Sequence, residues 1–173
     1  MKKTNTALAA TAIIMLLAFA IACGGGGGGG DSVKTYQMKE PVKVGGGTWT
    51  VKSVESTKEL KRQDGTGKFT AEGMFLLMNV SLKNDSGNSV NLTGEEIEVM
   101  DDKGNAYTFD SKNNNIYLNA IGKESLTGAA VEAGQTSEGW LIFDISKDAK
   151  GLKAKVRNVE ITKSDYAFID LNM

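Results

Sequence analysis

The chain contains no histidine and a single cysteine, Cys23, and this removes most hydrolytic chemistry at once. Ser-His-Asp and Cys-His nucleophiles need an imidazole to take up the proton, and many zinc sites are built from His and Cys. Carboxylates remain. Glu95 and Glu96 are adjacent and read as neighbours on a strand, where they would point to opposite faces and not share a substrate. Asp101 and Asp102 open the run Asp101-Asp102-Lys103-Gly104-Asn105, a turn in which aspartate bonds its own backbone. A weak calcium site at Asp101 and Asp102 is the competing reading, although the run lacks the alternating acids and distal glutamate of an EF-hand loop. Ser137, in Gln135-Thr136-Ser137-Glu138-Gly139, misses the nucleophile-elbow pattern because the first position is not glycine. No serine has a lysine three residues on. Trp49 and Trp140 are candidate stacking residues, yet large aromatics on strands of a small β domain are expected in the core. Lys58, Lys61, Arg62 and Lys68 read as a solvated basic cluster in a glycine-rich loop, with anionic headgroups as a competing contact. Nothing here calls for a cofactor.

The lone thiol is explained by its place. Lys2 and Lys3 precede an apolar stretch over residues 7–21 broken only by Thr11, which ends in Ala20-Ile21-Ala22-Cys23. A positive start, a short apolar region and small residues before the cut describe a secretory signal peptide over residues 1–22. A retained membrane span usually needs about 20 apolar residues, and this run is shorter. Ala20-Ile21-Ala22-Cys23 resembles the bacterial lipobox, though leucine is commoner at its first position. The resemblance implies that Cys23 is joined to diacylglycerol and that a lipoprotein signal peptidase cuts after Ala22. One acyl chain binds a bilayer marginally and two anchor stably, at ~0.8 kcal/mol per buried CH₂. Seven glycines over residues 24–30 follow, so residues 23–36 read as the lipidated cysteine and its tether. The expected partner is the bilayer, and the expected address is the outer side of the cell membrane.

Behind the leader the elements change character. Hydrophobic residues make up 40% and charged residues 24% of the chain, which fits a folded domain rather than a disordered one. Without residues 1–22, which hold two lysines and no acid, 18 basic residues stand against 21 acidic ones, a net charge of −3. That balance excludes a nucleic-acid partner, which needs clustered positive charge. Leu76, Met78, Val80 and Leu82 alternate with Leu77, Asn79, Ser81 and Lys83 as a half-buried strand does. Short apolar runs also begin at Val90 and Ile97, at Tyr107 and at Val156, with Val159 and Ile161 beyond. Phe168, Ile169 and Leu171 suggest a closing strand. Residues 140–145 are nearly all apolar, as in a strand covered on both faces. Turn residues separate these runs. The reading is an all-β, immunoglobulin-like antiparallel β-sandwich over residues 37–173, preceded by a signal helix and a glycine tether. Two longer connections stand out, residues 56–73 and 110–128.

Several of these segments carry a resemblance to a known family. Phe75-Leu76-Leu77-Met78-Asn79-Val80-Ser81-Leu82-Lys83-Asn84, the Asp102-Lys103-Gly104-Asn105-Ala106-Tyr107 turn, and Gly134 followed by Gly139-Trp140-Leu141-Ile142-Phe143 resemble the DUF4352 family. Trp49-Thr50-Val51 and Ser146-Lys147-Asp148-Ala149 fit its beginning and end. The family often has proline where this chain has Ala133. The resemblance implies a telokin-like or immunoglobulin-like sandwich, similar to a secreted mycobacterial immunoprotective antigen, and it transfers no catalytic residue. The leading reading is therefore a non-catalytic binding module whose partner is an envelope protein or ligand. A carboxylate-dependent envelope hydrolase or sensor is the alternative, since two acids 5 to 10 Å apart can cleave glycosides. Within residues 110–128, Ile116, Tyr117 and Leu118 are expected either to form a strand or core-covering segment, with Ile116 and Leu118 on one face and Tyr117 on the other, or to contact a partner.

Overall fold

The computed structural model describes residues 33–160 and 164–173. The signal peptide, the cleavage point after Ala22, the lipidated Cys23, the glycine run and Ile161 lie outside the described residues. In chain order the elements are β1 (Thr35–Gln37), β2 (Val42–Val44), β3 (Gly47–Lys61), β4 (Lys68–Asn84), β5 (Val90–Asn91), β6 (Ile97–Met100), β7 (Ala106–Thr108), α1 (Asn114–Ala120), β8 (Ala130–Val131), β9 (Thr136–Ile145), β10 (Lys153–Arg157) and β11 (Tyr166–Asp170). They form a β-sandwich. One sheet has the order β1-β11-β10-β6-β7, the second has β2-β3-β4-β9, and β5 pairs with β8 alone. Every pair is antiparallel except β1 with β11. Thr35 and Tyr36 already belong to β1, so the sheet begins two residues before the boundary read from the sequence.

Alternation explains the layers. Trp49, Val51, Leu76, Met78, Val80, Leu82, Leu141 and Phe143 of the second sheet meet Ile97, Val99, Ala154, Val156 and Ile169 of the first in one core. Trp49 is fully buried, and its indole N–H donates to the Arg157 carbonyl at 2.9 Å, which satisfies the polar atom and ties the two sheets. The second sheet is also covered on its other face. Leu60, Ala71, Phe75, Leu77, Leu118 and Ile142 form a separate apolar cluster under α1. Residues 76–80 are thus covered on both sides, with Leu77 only 2% exposed, whereas Ser81 is half-buried and Lys83 exposed as the alternation predicts.

Three local readings are corrected. Residues 56–73 are not a long connection: β3 and β4 run on through them as a hairpin, leaving only residues 62–67 between the strands. Polar and apolar side chains at the outer ends of β3 and β4 hide the pattern, because only Leu60, Ala71 and Phe75 need cover there. Lys58 and Lys61 consequently lie on β3 and Lys68 on β4, not in a loop. Glu95 and Glu96 precede β6 in a turn, where the Glu96 carboxylate accepts from the Thr93 hydroxyl at 3.2 Å and the Gly94 N–H at 2.9 Å.

A candidate ligand groove on the outer face of the second sheet

The site begins at an irregularity in the β3–β4 ladder. Thr57 pairs with Phe75, but the next matched pair is Glu59 with Thr70. Lys58 alone therefore faces residues 71–74, and the backbone groups of that bulge lose their ladder partners. Charged side chains supply substitutes. The Lys58 ammonium donates to the carbonyls of Ala71, Glu72 and Gly73 at 2.6, 2.9 and 2.9 Å. From β9, the Asp144 carboxylate accepts the N–H groups of Glu72 and Gly73 at 2.7 and 2.9 Å. A Cβ at Gly73 would sit 1.9 Å from the Ile145 carbonyl oxygen, so this close approach admits only glycine.

Opposite the bulge stands α1. Asp110 holds its start: one carboxylate oxygen accepts the Lys112 and Asn113 N–H groups at 3.0 and 3.2 Å, and the other accepts the Asn113 amide at 2.7 Å. Burial works to raise the Asp110 pKa, but these hydrogen bonds from Asn113 and Lys112 outweigh it and hold the carboxyl below its ordinary value. One turn along, Asn114 is 1% exposed. Its carbonyl oxygen accepts the Ile142 N–H at 2.9 Å, and its amide nitrogen donates to the Ser125 hydroxyl at 3.0 Å. The amide thus closes the free edge of β9, and the adjoining segment completes the task, with Trp140 N–H donating to Glu124 and Leu126 N–H donating to Trp140.

Between helix and bulge lies a groove of about 570 Å³. Phe75, Tyr117, Ile142 and Ile145 give it apolar walls, whereas Glu72, Asp110, Asn113 and Asp144 give it polar ones. The Tyr117 ring is wedged 4.6 Å from Phe69 and 5.5 Å from Phe75, centroid to centroid. Chemically the groove presents acceptors beside aromatic surface, a fit for an amphipathic ligand.

Of the candidate site residues named in the sequence, Tyr117 lines this groove, as do Phe75, Ile142 and Ser146 of the segments that carry the family resemblance. Residues 116–118 form part of a helix, not a strand, and the expected facing is wrong accordingly. Ile116 is 55% exposed while Leu118 is fully buried in the second apolar cluster. At helical spacing Leu118 shares its face with Asn114, four residues back, and Ile116 points elsewhere. Leu118 is thus core and Ile116 is the exposed apolar residue. Trp140 is half-buried with the Lys123 ammonium 3.2 Å from its ring centroid, so only Trp49 is a central core residue. Ser137 is half-buried on β9 opposite Leu82.

Asp101 and Asp102 lie apart from the groove residues. One Asp101 oxygen accepts the Lys103 and Asn105 N–H groups at 3.0 and 2.8 Å, and the other accepts the Asn105 amide at 2.8 Å and the Tyr107 hydroxyl at 3.1 Å. The Asn105 side chain, helped by the Asn105 N–H, Tyr107 and Lys103 and opposed by burial, lowers the Asp101 pKa. Burial and the Asp101 carboxylate raise that of Tyr107. This is turn chemistry, and Asp102 is exposed. Among the described residues no three acids or cysteines cluster as a metal site would need. The groove residues Asp110, Asn114 and Asp144 were missed in the sequence. Asp144 interrupts the otherwise apolar run of residues 140–145, which was the one available signal.

A family model described as "Domain of unknown function (DUF4352)" matches residues 36–166. No curated protein matches the sequence. Among solved structures, the chain is similar to the yjhA protein of Bacillus subtilis, at 16% identity and a TM-score of 0.56, over 78% of this chain and 98% of that one. It is similar to the secreted protein MPT63 of Mycobacterium tuberculosis, at 14% identity and a TM-score of 0.57, over 82% and 99%. An uncharacterized β-sandwich protein from Clostridium difficile aligns at 11% identity and a TM-score of 0.51, over 85% and 99%. Likenesses at these identities concern the fold.

Proposed function

We propose, from the premise that this chain belongs to the DUF4352 family, that it is a lipid-anchored extracytoplasmic binding domain that takes its ligand in the groove between α1 and the second sheet. The anchor is Cys23, exposed as a mature N-terminus by cleavage after Ala22. The groove receives an amphipathic ligand from the envelope, without chemical conversion.

One observation carries the non-catalytic reading: the two aspartates of the groove are already employed as acceptors for the protein's own backbone. Asp144 fastens the bulge and Asp110 fastens the helix start. A glycoside hydrolase needs one carboxyl whose pKa is raised so that it can deliver a proton. Asp110 is shifted in the opposite direction, and so is every other described carboxyl with a resolved shift. These two observations favour binding over cleavage in the groove.

The test has two independent arms. For the anchor, Cys23→Ser in the producing bacterium abolishes incorporation of labelled fatty acid and leaves the protein uncleaved or mislocalised; continued labelling overturns the lipoprotein reading. For the groove, a photo-cross-linking residue at Asn113, which lines the groove, yields a discrete adduct in intact cells, whereas the same residue at Lys39 does not. Identical patterns at the two positions would refute a ligand at α1.

A further inference from the structure

The first sheet also has an outer face, and no element of the described chain covers it. Along β10 the inward residues are Ala154 and Val156, both fully buried, so Lys153, Lys155 and Arg157 point outward. Their neighbours on that face are Tyr166, Phe168 and Asp170 of β11 and Glu98 of β6. Glu98 holds Lys155 at 2.7 Å and Arg157 at 2.9 Å through one oxygen, leaving the Arg157 side chain 43% and the Lys155 side chain 18% exposed. The Lys155 ammonium lies 4.7 Å from the Tyr166 ring centroid, and the Tyr166 and Phe168 rings meet edge to face at 5.6 Å. Three cations thus stand in a row against two acids, with aromatic rings alongside, on a domain that is otherwise acidic.

The basic cluster read from the sequence lies elsewhere, on the β3–β4 hairpin of the second sheet, where Lys58 bonds the bulge carbonyls, Arg62 pairs with Asp64 and Lys68 pairs with Glu59.

We propose that the outer face of the first sheet rests on the anionic leaflet that holds the lipid anchor. The occupant follows from charge and from chain length together. A leaflet rich in anionic headgroups attracts Lys and Arg within a Debye length and repels carboxylates, so this row is a side that can approach. Tyrosine is favoured at headgroup level, where its ring is apolar and its hydroxyl wet. The chain enters the fold at β1, the edge strand of this same sheet. Eleven residues lie between Cys23 and Thr35, and no such segment spans more than about 40 Å. The inference rests on the lipoprotein reading and adds an orientation to it. Because α1 and the groove lie on the outer face of the other sheet, docking by the first sheet turns the groove away from the membrane.

The experiment uses the full lipidated protein in vesicles of phosphatidylcholine, with or without phosphatidylglycerol. Acylation blocks the Cys23 thiol, so Thr108→Cys on the first sheet, or Ile116→Cys on α1, gives a single site for a fluorescent donor. Energy transfer to headgroup-labelled lipid is then measured at each. In phosphatidylglycerol vesicles transfer from position 108 exceeds that from position 116 severalfold. High salt and Lys153→Glu both reduce the difference. Equal transfer from the two positions overturns the proposal, as does an asymmetry that persists unchanged in pure phosphatidylcholine. Retention on phosphatidylcholine vesicles reports the anchor separately. Loss of retention there alone refutes the anchor and supports the face, and loss on both vesicle types refutes both.

Discussion

Alanine at Leu118 and at Ile116 separates a helix from a strand over residues 114–120. In a strand the two side chains share a face and their truncation costs similar amounts. In the helix they do not. Leu118 is fully buried, and Ile116 is 55% exposed. Leu118→Ala removes three carbons, worth roughly 2.4 kcal/mol at ~0.8 kcal/mol each. A void of about 75 Å³ would add roughly 1.8 kcal/mol at ~24 cal/mol per Å³ if nothing relaxed. The cluster around Leu118 is small, and one of its walls is a helix of only seven residues, so much of that second quantity is recovered by collapse. The expected loss is about 2.5–3.5 kcal/mol for Leu118→Ala and within about 0.5 kcal/mol for Ile116→Ala. Urea unfolding of a chain beginning at Ser32 measures both as shifts in midpoint at unchanged slope. Equal losses at the two positions would refute the helix, and a Leu118→Ala loss below about 1 kcal/mol would refute its role as core.

Asn114→Ala leaves the Ile142 N–H without its partner in a buried place, at a cost of about 1–3 kcal/mol. Hydrogen exchange at the Ile142 amide should accelerate selectively, and unchanged exchange would mean that the side chain does not guard the edge of β9. Lys58→Met deprives three bulge carbonyls of their donor, and about 1–2 kcal/mol of stability should be lost by denaturant titration. A neutral result would show that solvent replaces the ammonium. Asp101 has a folded pKa held below its unfolded value, so its contribution to stability is present above the ordinary aspartate range and is lost as pH falls through the folded pKa. Asp101→Asn should therefore narrow the stability difference between pH 7 and pH 3, and an unaltered difference would contradict the assignment.

The sandwich was legible because its signals are local and of period two. Leu76, Met78, Val80 and Leu82 declare the inward face of β4, and the turn at residues 101–105 is written in Asp, Gly and Asn. What escaped depended on contacts between distant segments. Leu77 sits where an exposed residue was expected, and only α1, about 40 residues later, explains it. The helix was itself hidden, since of the residues on its buried face Asn114 is polar and Leu118 is the one fully buried apolar side chain. A two-turn helix offers too few positions for a 3.6-residue period to emerge. Lys58 and Asp144 look like ordinary surface charges in the sequence. Their use depends on a bulge that no single-strand pattern records.

The groove follows from a mismatch of lengths. β3 and β4 have 15 and 17 residues, while the strands of the first sheet have three to five. A strand of 15 residues extends roughly 50 Å, and a seven-residue helix roughly 10 Å. Apolar side chains at Leu60, Ala71, Phe75 and Leu77 require cover outside the inter-sheet core, and α1 is too short to provide it for the whole hairpin. The strip left open beside the helix is the groove. Its polar wall arises for a related reason. Where the long hairpin bulges, backbone groups need partners, and the charges brought in as partners, Asp144 above all, remain at the groove's margin. The same residues therefore hold the hairpin in shape and give the cavity its acceptors, so substitutions at Asp144 should alter folding and binding together. Substitutions at Asn113, whose amide bonds the Asp110 carboxylate, should reach binding with less effect on the fold.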